Sequence, residues 1–273
     1  MNSFKTLLVF ISLLLTATLF GQIGKEHSLS NNLPPFFREG DRPLLSFTLH
    51  NKTKEEWTGS ASLSLQNSNT RESVDGWFMN SVANQYFTVD TGNHHQLLFP
   101  IEVPFLYNQS LDWKLAIESA HDSIVAKGTI PILFWPYEDS INAPTSRVPF
   151  ITIEKKIHAS NPIQIGQKVL IEITLAVKKK VENLVLIDEW TAGLVPDKGP
   201  IKITGALNKY FFENKTQRNR SVKFNTLSPG HYSLRYYAMA TYPGVFNQPP
   251  TLLFLNGNNT FTARSSYQKI DIE

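Results

Sequence analysis

Three places in this 273-residue sequence set side by side residue types that chemistry could use. His121, Asp122 and Ser123 are the residue types of a nucleophilic hydrolase triad. Consecutive residues cannot adopt that geometry, because the base must face the nucleophile while the acid orients it from behind. No Gly-x-Ser-x-Gly turn presents a serine elsewhere, so the segment reads as a hairpin turn. Asp188 and Glu189, beside Trp190, offer two carboxylates. Neighbours on a strand diverge to opposite faces, and nothing sets up the opposed pair a glycosidase uses. Their expected place is a solvated strand end. His94 and His95 could suggest a metal, but adjacent strand positions do not chelate together, and a turn pair is expected. No catalytic, cofactor-binding or metal-binding residue is assigned, and the chain reads as not an enzyme.

Composition narrows the classes further. The chain has no cysteine, which removes thiol nucleophiles, thiolate metal sites and disulfide staples. Each domain must therefore stand on its core. Net charge is +3, or about +2 once Lys5 leaves with a signal segment, too little for a nucleic-acid footprint. The run Lys178-Lys179-Lys180 reads as a solvated turn. Residues 1–21, "MNSFKTLLVFISLLLTATLFG", place one Lys before an apolar core closed by small and polar residues. That is a signal-peptide layout with cleavage near Gly21-Gln22, so a secreted or periplasmic protein is expected, with no stable membrane span after removal.

The remaining elements must be strands. "LLSFTLHN", "SASLSLQN", "NQYFTVDTG", "LDWKLAIES" and "DSIVAKGTIPIL" alternate apolar and polar residues between turn signals. In "LDWKLAIES", Leu111, Trp113, Leu115 and Ile117 share one face. A second block does the same, with Val169, Ile171, Ile173, Leu175 and Val177 on one face of "KVLIEITLAV". Between the blocks, residues 134–149 hold Pro136, Pro144 and Pro149, which cannot donate to a ladder, and read as a linker. The fold class is all-β: two tandem antiparallel β-sandwiches, over 30–133 and 150–273. Trp113 and Trp190 read as core. Trp77 and Phe78 in a loop, with Trp135 in the linker, are the candidates for an exposed contact surface. Five Asn-x-Ser/Thr sequons, at Asn51, Asn108, Asn214, Asn219 and Asn258, read as chance in an Asn-rich chain.

The stretch "NLPPFFREGDRPLLSFTLHNKT" resembles the start of the macroglobulin-like domain that precedes the thioester domain in bacterial alpha-2-macroglobulins. The matching positions are Leu33, Pro34, Phe36 or Phe37, Arg38, Gly40, Asp41, Asn51 and Thr53. The resemblance continues through "VDGWFMNSVANQYFTVDTGNHHQLLFPIEVP" and "WKLAIESAHDSIVAKGTIPIL". The second block is similar to the family's C-terminal domain, in its Val-x-Asp element at "LIDEW" and in "LSPGHYSLRYYAMATYPGVFNQPPTLLF". The family's ancestral role is peptidase inhibition. Here no Cys-x-x-Gln thioester occurs, and sixteen positions, 134–149, stand where the family carries a helical thioester domain. The domains that carry the bait segment are likewise absent from this sequence. The resemblance thus implies a secreted, non-catalytic scaffold or protein-binding remnant, with a protease or another protein as partner, no cofactor and no covalent trap. A carbohydrate-binding or surface-adhesion module is the alternative, since tandem sandwiches serve that role too. A decayed gene product without activity is a third.

Overall fold

The computed structural model describes residues 26–120, 122–133, 146–205, 211–216, 218–255 and 262–273, with 211–215 described by backbone alone. The segment read as a signal, most of the linker with Trp135, His121 and Asn258 lie outside the described residues. Among the described residues there are strands and no helix.

The first run of strands is β1 (His27–Asn32), β2 (Phe37–Arg38), β3 (Arg42–Asn51), β4 (Trp57–Asn67), β5 (Asn84–Val89), β6 (His94–Pro100), β7 (Leu111–Ser119), β8 (Ser123–Ile130) and β9 (Ile132–Leu133). One sheet has the order β5-β4-β7-β8, and the facing sheet centres on β3 between β1 and β6. Period-2 alternation decides which side chains meet. Ala61, Leu63 and Leu65 of β4 and Leu111, Trp113, Leu115 and Ile117 of β7 are buried against Leu45, Phe47, Leu49, Leu97 and Phe99 of the other sheet. The loop after β3 is held by its own side chains. Asn51 Nδ2 donates to the carbonyls of Glu55 at 2.8 Å and Val89 at 2.9 Å, while Thr53 Oγ1 donates to Asn51 Oδ1 at 2.7 Å. That gives the Asn-x-Thr at this position a folding role, and buried Asn51 is closed to glycan attachment in the folded chain.

The second run is β10 (Ile151–His158), β11 (Lys168–Val177), β12 (Val181–Glu189), β13 (Leu194–Pro196), β14 (Lys202–Thr204), β15 (Phe211–Lys215), β16 (Asn219–Leu227), β17 (Gly230–Ala240), β18 (Gly244–Gln248), β19 (Thr251–Leu255), β20 (Ala263–Arg264) and β21 (Gln268–Ile272). Its sheets are β10-β11-β17-β13, with β14 also on β17, and β15-β16-β12-β19-β20. All five residues expected on the inner face of β11, Val169 to Val177, are buried. They pack with Tyr232, Leu234 and Tyr236 of β17 and Leu184 and Leu186 of β12. On the outer face, Glu172 of β11 accepts from Ser233 Oγ at 2.8 Å and Arg235 Nε at 2.7 Å, and pairs with His158 of β10 at 2.9 Å. Led by the Ser233 hydroxyl, these donors hold its carboxyl down at about 2.

The two sandwiches share elements at their junction. β18 pairs with β21 and also with the start of β3, Gly244 opposite Pro43 and Val245 opposite Arg42. It continues the edge of β3 that β1 occupies, and Asn32 Nδ2 at the end of β1 donates to the Thr241 carbonyl at 3.1 Å. Phe36 and Phe37 divide between the cores: Phe36 packs in the second, Phe37 in the first. Gly244 is required at the crossing. Its φ is +131°, and a Cβ there would lie 2.5 Å from the Arg42 carbonyl oxygen. From the linker, Val148 packs against the second core, and Ser146 bridges to Ala263.

Candidate functional site

The residues singled out for contact separate in the structure. Trp77 is 70% exposed. Phe78 is fully buried, packed edge-on to Tyr107 at 5.0 Å, so the expectation that it faces solvent is corrected. The chain coils here, with the Phe78 amide donating to the Val74 carbonyl at 3.0 Å and the Asn80 amide to the Asp75 carbonyl at 3.0 Å, and this turn carries Phe78 into the core while Trp77 stays outside. The loop backbone is fixed at Phe78, whose carbonyl accepts from Glu102 N at 2.8 Å. The same contact brings up the loop after β6, so that Met79, Phe105 and Leu106 join Trp77 as exposed apolar residues on neighbouring loops. Met79 and Leu106 hold left-handed backbone, φ 50° and 63°, in residues that seldom adopt it. Sequence reading missed Met79, Phe105 and Leu106 because isolated apolar residues in a loop carry no periodic signal.

The histidine and triad-type segments do not assemble a site. His94 and His95 lie on β6, with the His94 ring 6.2 Å from His50. Asp122 pairs with His27 Nδ1, and the His27 ring stacks on Trp57 at 4.2 Å. No group of three or more metal-ligating side chains occurs among the described residues.

Asp188 overturns its expectation most sharply. It is not at a solvated strand end but wholly buried. Period 2 explains this: Leu184, Leu186 and Asp188 face inward along β12, and on β10 the inward set is Ile151, Ile153 and Lys155. Lys155 Nζ lies 2.5 Å from Asp188 Oδ1, which also accepts from Thr251 Oγ1 at 2.7 Å. Tyr236 Oη donates to Asp188 Oδ2 at 2.5 Å. Arg220 is stacked over the Tyr236 ring at 4.4 Å. Burial pulls the Lys155 ammonium down, against the opposing pull of Asp188, and burial pushes the Tyr236 phenol well up.

This polar core runs on into the junction. Glu189 pairs with Arg38 Nη2 at 2.8 Å, and Arg38 Nε donates to the Trp190 carbonyl at 3.0 Å. Gln248 Nε2 donates to the Glu189 carbonyl at 3.1 Å. Asp41 accepts from the Arg38 amide at 2.7 Å and from the Asn247 amide at 2.8 Å. Asn247 Nδ2 reaches the Glu39 carbonyl at 2.5 Å, and Glu39 itself holds the Leu106 amide at 2.7 Å. Burial raises Asp41 to about 7, while its two backbone donors pull it down. Gly40, at φ +72°, leaves no room for a Cβ beside Phe105 and Asn247. The motif Arg38-Glu39-Gly40-Asp41 is thus the fastening between the two sandwiches. Its polar groups are turned inward to one another, an arrangement that holds parts together.

Fold and junction define a class: a tandem pair of antiparallel sandwiches locked by a shared strand and a buried polar loop. Residues 148–254 match the family described as the bacterial alpha-2-macroglobulin MG10 domain. The similarity to that family's domain thus spans most of the second unit of the chain. Among solved structures, native alpha-2-macroglobulin from Escherichia coli, spanning domain MG7 to the C-terminus, is 14% identical with a TM-score of 0.36. That match covers 80% of this chain and 33% of the other. Trypsin-activated alpha-2-macroglobulin from Escherichia coli is 14% identical with a TM-score of 0.40, over 80% of this chain and 14% of that one. Red sea bream transglutaminase is 8% identical with a TM-score of 0.30, over 91% of this chain and 31% of the other. The chain thus spans a third or less of each of these structures. No curated protein sequence matches it.

Proposed function

We propose that this chain is an exported, non-catalytic scaffold of the alpha-2-macroglobulin family that binds a protein partner reversibly. The observation that carries the reading is the MG10 match in a sequence without cysteine. A thioester trap needs a thiol, and this sequence offers none. The signal-like residues 1–21 support export to the periplasm or the medium. A contact surface is supplied by Trp77 with Met79, Phe105 and Leu106, which the neighbouring loops hold outward. Large apolar side chains exposed on neighbouring loops favour macromolecular contact over small-molecule capture.

The test is incubation of the purified protein with trypsin-like and elastase-like proteases, followed by denaturing gels and by dilution of any inhibited mixture. The expected result is no band of higher mass after boiling in detergent, and any inhibition lost on dilution. A boiling-resistant adduct would overturn the reading. Binding to polysaccharide with none to proteins would overturn it in favour of a carbohydrate-binding module.

A further inference from the structure

We propose that Lys155 and Asp188 are the two halves of an intramolecular amide cross-link that joins the two sheets of the second sandwich. Lys155 stands on β10 and Asp188 on β12, strands of opposite sheets. Their side chains are 1% and 0% exposed, with Nζ 2.5 Å from Oδ1, so the amine meets the carboxyl group away from bulk solvent. Both occupy positions where strand alternation otherwise places Ile and Leu. A lysine ammonium and a carboxylate set this deep are costly to keep as ions, and an amide removes both charges.

The surroundings supply what acyl transfer needs. Proton transfer within the pair, from Nζ to Oδ1, gives a neutral amine facing a carboxylic acid. Desolvation of Lys155 favours that form of the amine. Tyr236 Oη donates to Oδ2 and polarises the carbonyl, so charge developing on Oδ2 during attack meets a hydrogen-bond donor. Thr251 Oγ1 donates to Oδ1, the oxygen that departs. The balance closes within the pair. The Nζ–Cγ bond forms and the Cγ–Oδ1 bond breaks. Oδ1 leaves with two of the three ammonium hydrogens as one water, and no oxidant, reductant or further reactant is consumed. Other charged groups around the pair are Arg38 and Glu189, which are paired with each other, and Arg220, held over the Tyr236 ring. The inference is independent of the reading of function given above.

The experiment is the intact mass of the full chain under denaturing conditions, with folding verified beforehand by a cooperative melt. The expected mass is one water below that of the chain counted from whichever N-terminus it carries. Trypsin should fail to cut after Lys155, leaving a branched peptide that joins the β10 segment to the one carrying Asp188. Lys155→Arg and Asp188→Ala should each show the full mass, and Tyr236→Phe should accumulate the cross-link more slowly. Because the buried variants can fail to fold, the wild-type peptide map decides independently. A folded wild-type protein at the full mass of that chain, cut normally after Lys155, overturns the proposal. So does a water loss that maps to any other pair of residues.

Discussion

Asp41 is a buried carboxyl held by two amides, one from its own loop and one from β18. Desolvation raises it from its ordinary 3.8 to about 7. A folded-state pKa above the unfolded one means that folding takes up a proton between those values. The stability this group contributes is fully present below pH 3.8 and is lost as pH rises through about 7. Asn at this position has no proton to lose. Wild-type stability should therefore fall relative to Asp41→Asn between pH 5 and pH 8, by on the order of a few kcal/mol. Urea midpoints of the two proteins at both pH values measure this. Parallel pH dependence would place the titration elsewhere. At pH 5 the variant should be the less stable of the two by about 1–3 kcal/mol, because its amide nitrogen faces a backbone N–H donor that the carboxyl group accepted, and this deficit should shrink as pH rises through about 7.

At the scale of elements, the strands were legible because alternation is a local property. The inner face of β11 was readable residue by residue. Ile173→Asp should cost several kcal/mol by placing an unpaired charge in the second core, where Ile173 has no exposure. A melting temperature unchanged from wild type would contradict the register of β11 with β17. Other features were less legible for physical reasons. Lys155 and Asp188 sit on inward positions of readable strands, but a charged residue breaks the apolar pattern unless its partner on a distant strand is known. Phe78 differs from Trp77 only by one step of the chain, and a loop has no period to tell which faces in. The signal in Arg38-Glu39-Gly40-Asp41 was visible as a motif, while its partners at Glu189, Trp190 and Asn247 lie far away in sequence. Gly244 marks where such distance closes. Gly244→Val should separate β18 from β3, because its Cβ would overlap the Arg42 carbonyl at 2.5 Å and its φ of +131° disfavours a branched side chain. A loss of several kcal/mol is expected. Hydrogen-exchange protection lost at both Leu44 and β18 would confirm where it acts.

For the whole molecule, sequence reading placed two sandwiches in tandem, and the structure adds that they are not beads on a string. β18 belongs to the ladder of the first unit through β3 and to the second through β21. The Phe36-Phe37 step divides its two rings between the two cores. The Arg38–Glu189 pair and the Asp41–Asn247 bond span the same boundary out of solvent. Under the function proposed above, such a junction would lower the ordering cost of binding by fixing the relative orientation of the two sandwiches. The central claim is that the two sandwiches work as one rigid, cooperatively folded body. Differential scanning calorimetry of the wild type beside Gly244→Val tests it most directly. The account predicts one wild-type transition whose calorimetric and van't Hoff enthalpies agree, splitting into two in the variant. Two independent wild-type transitions, unmoved by the substitution, would contradict it.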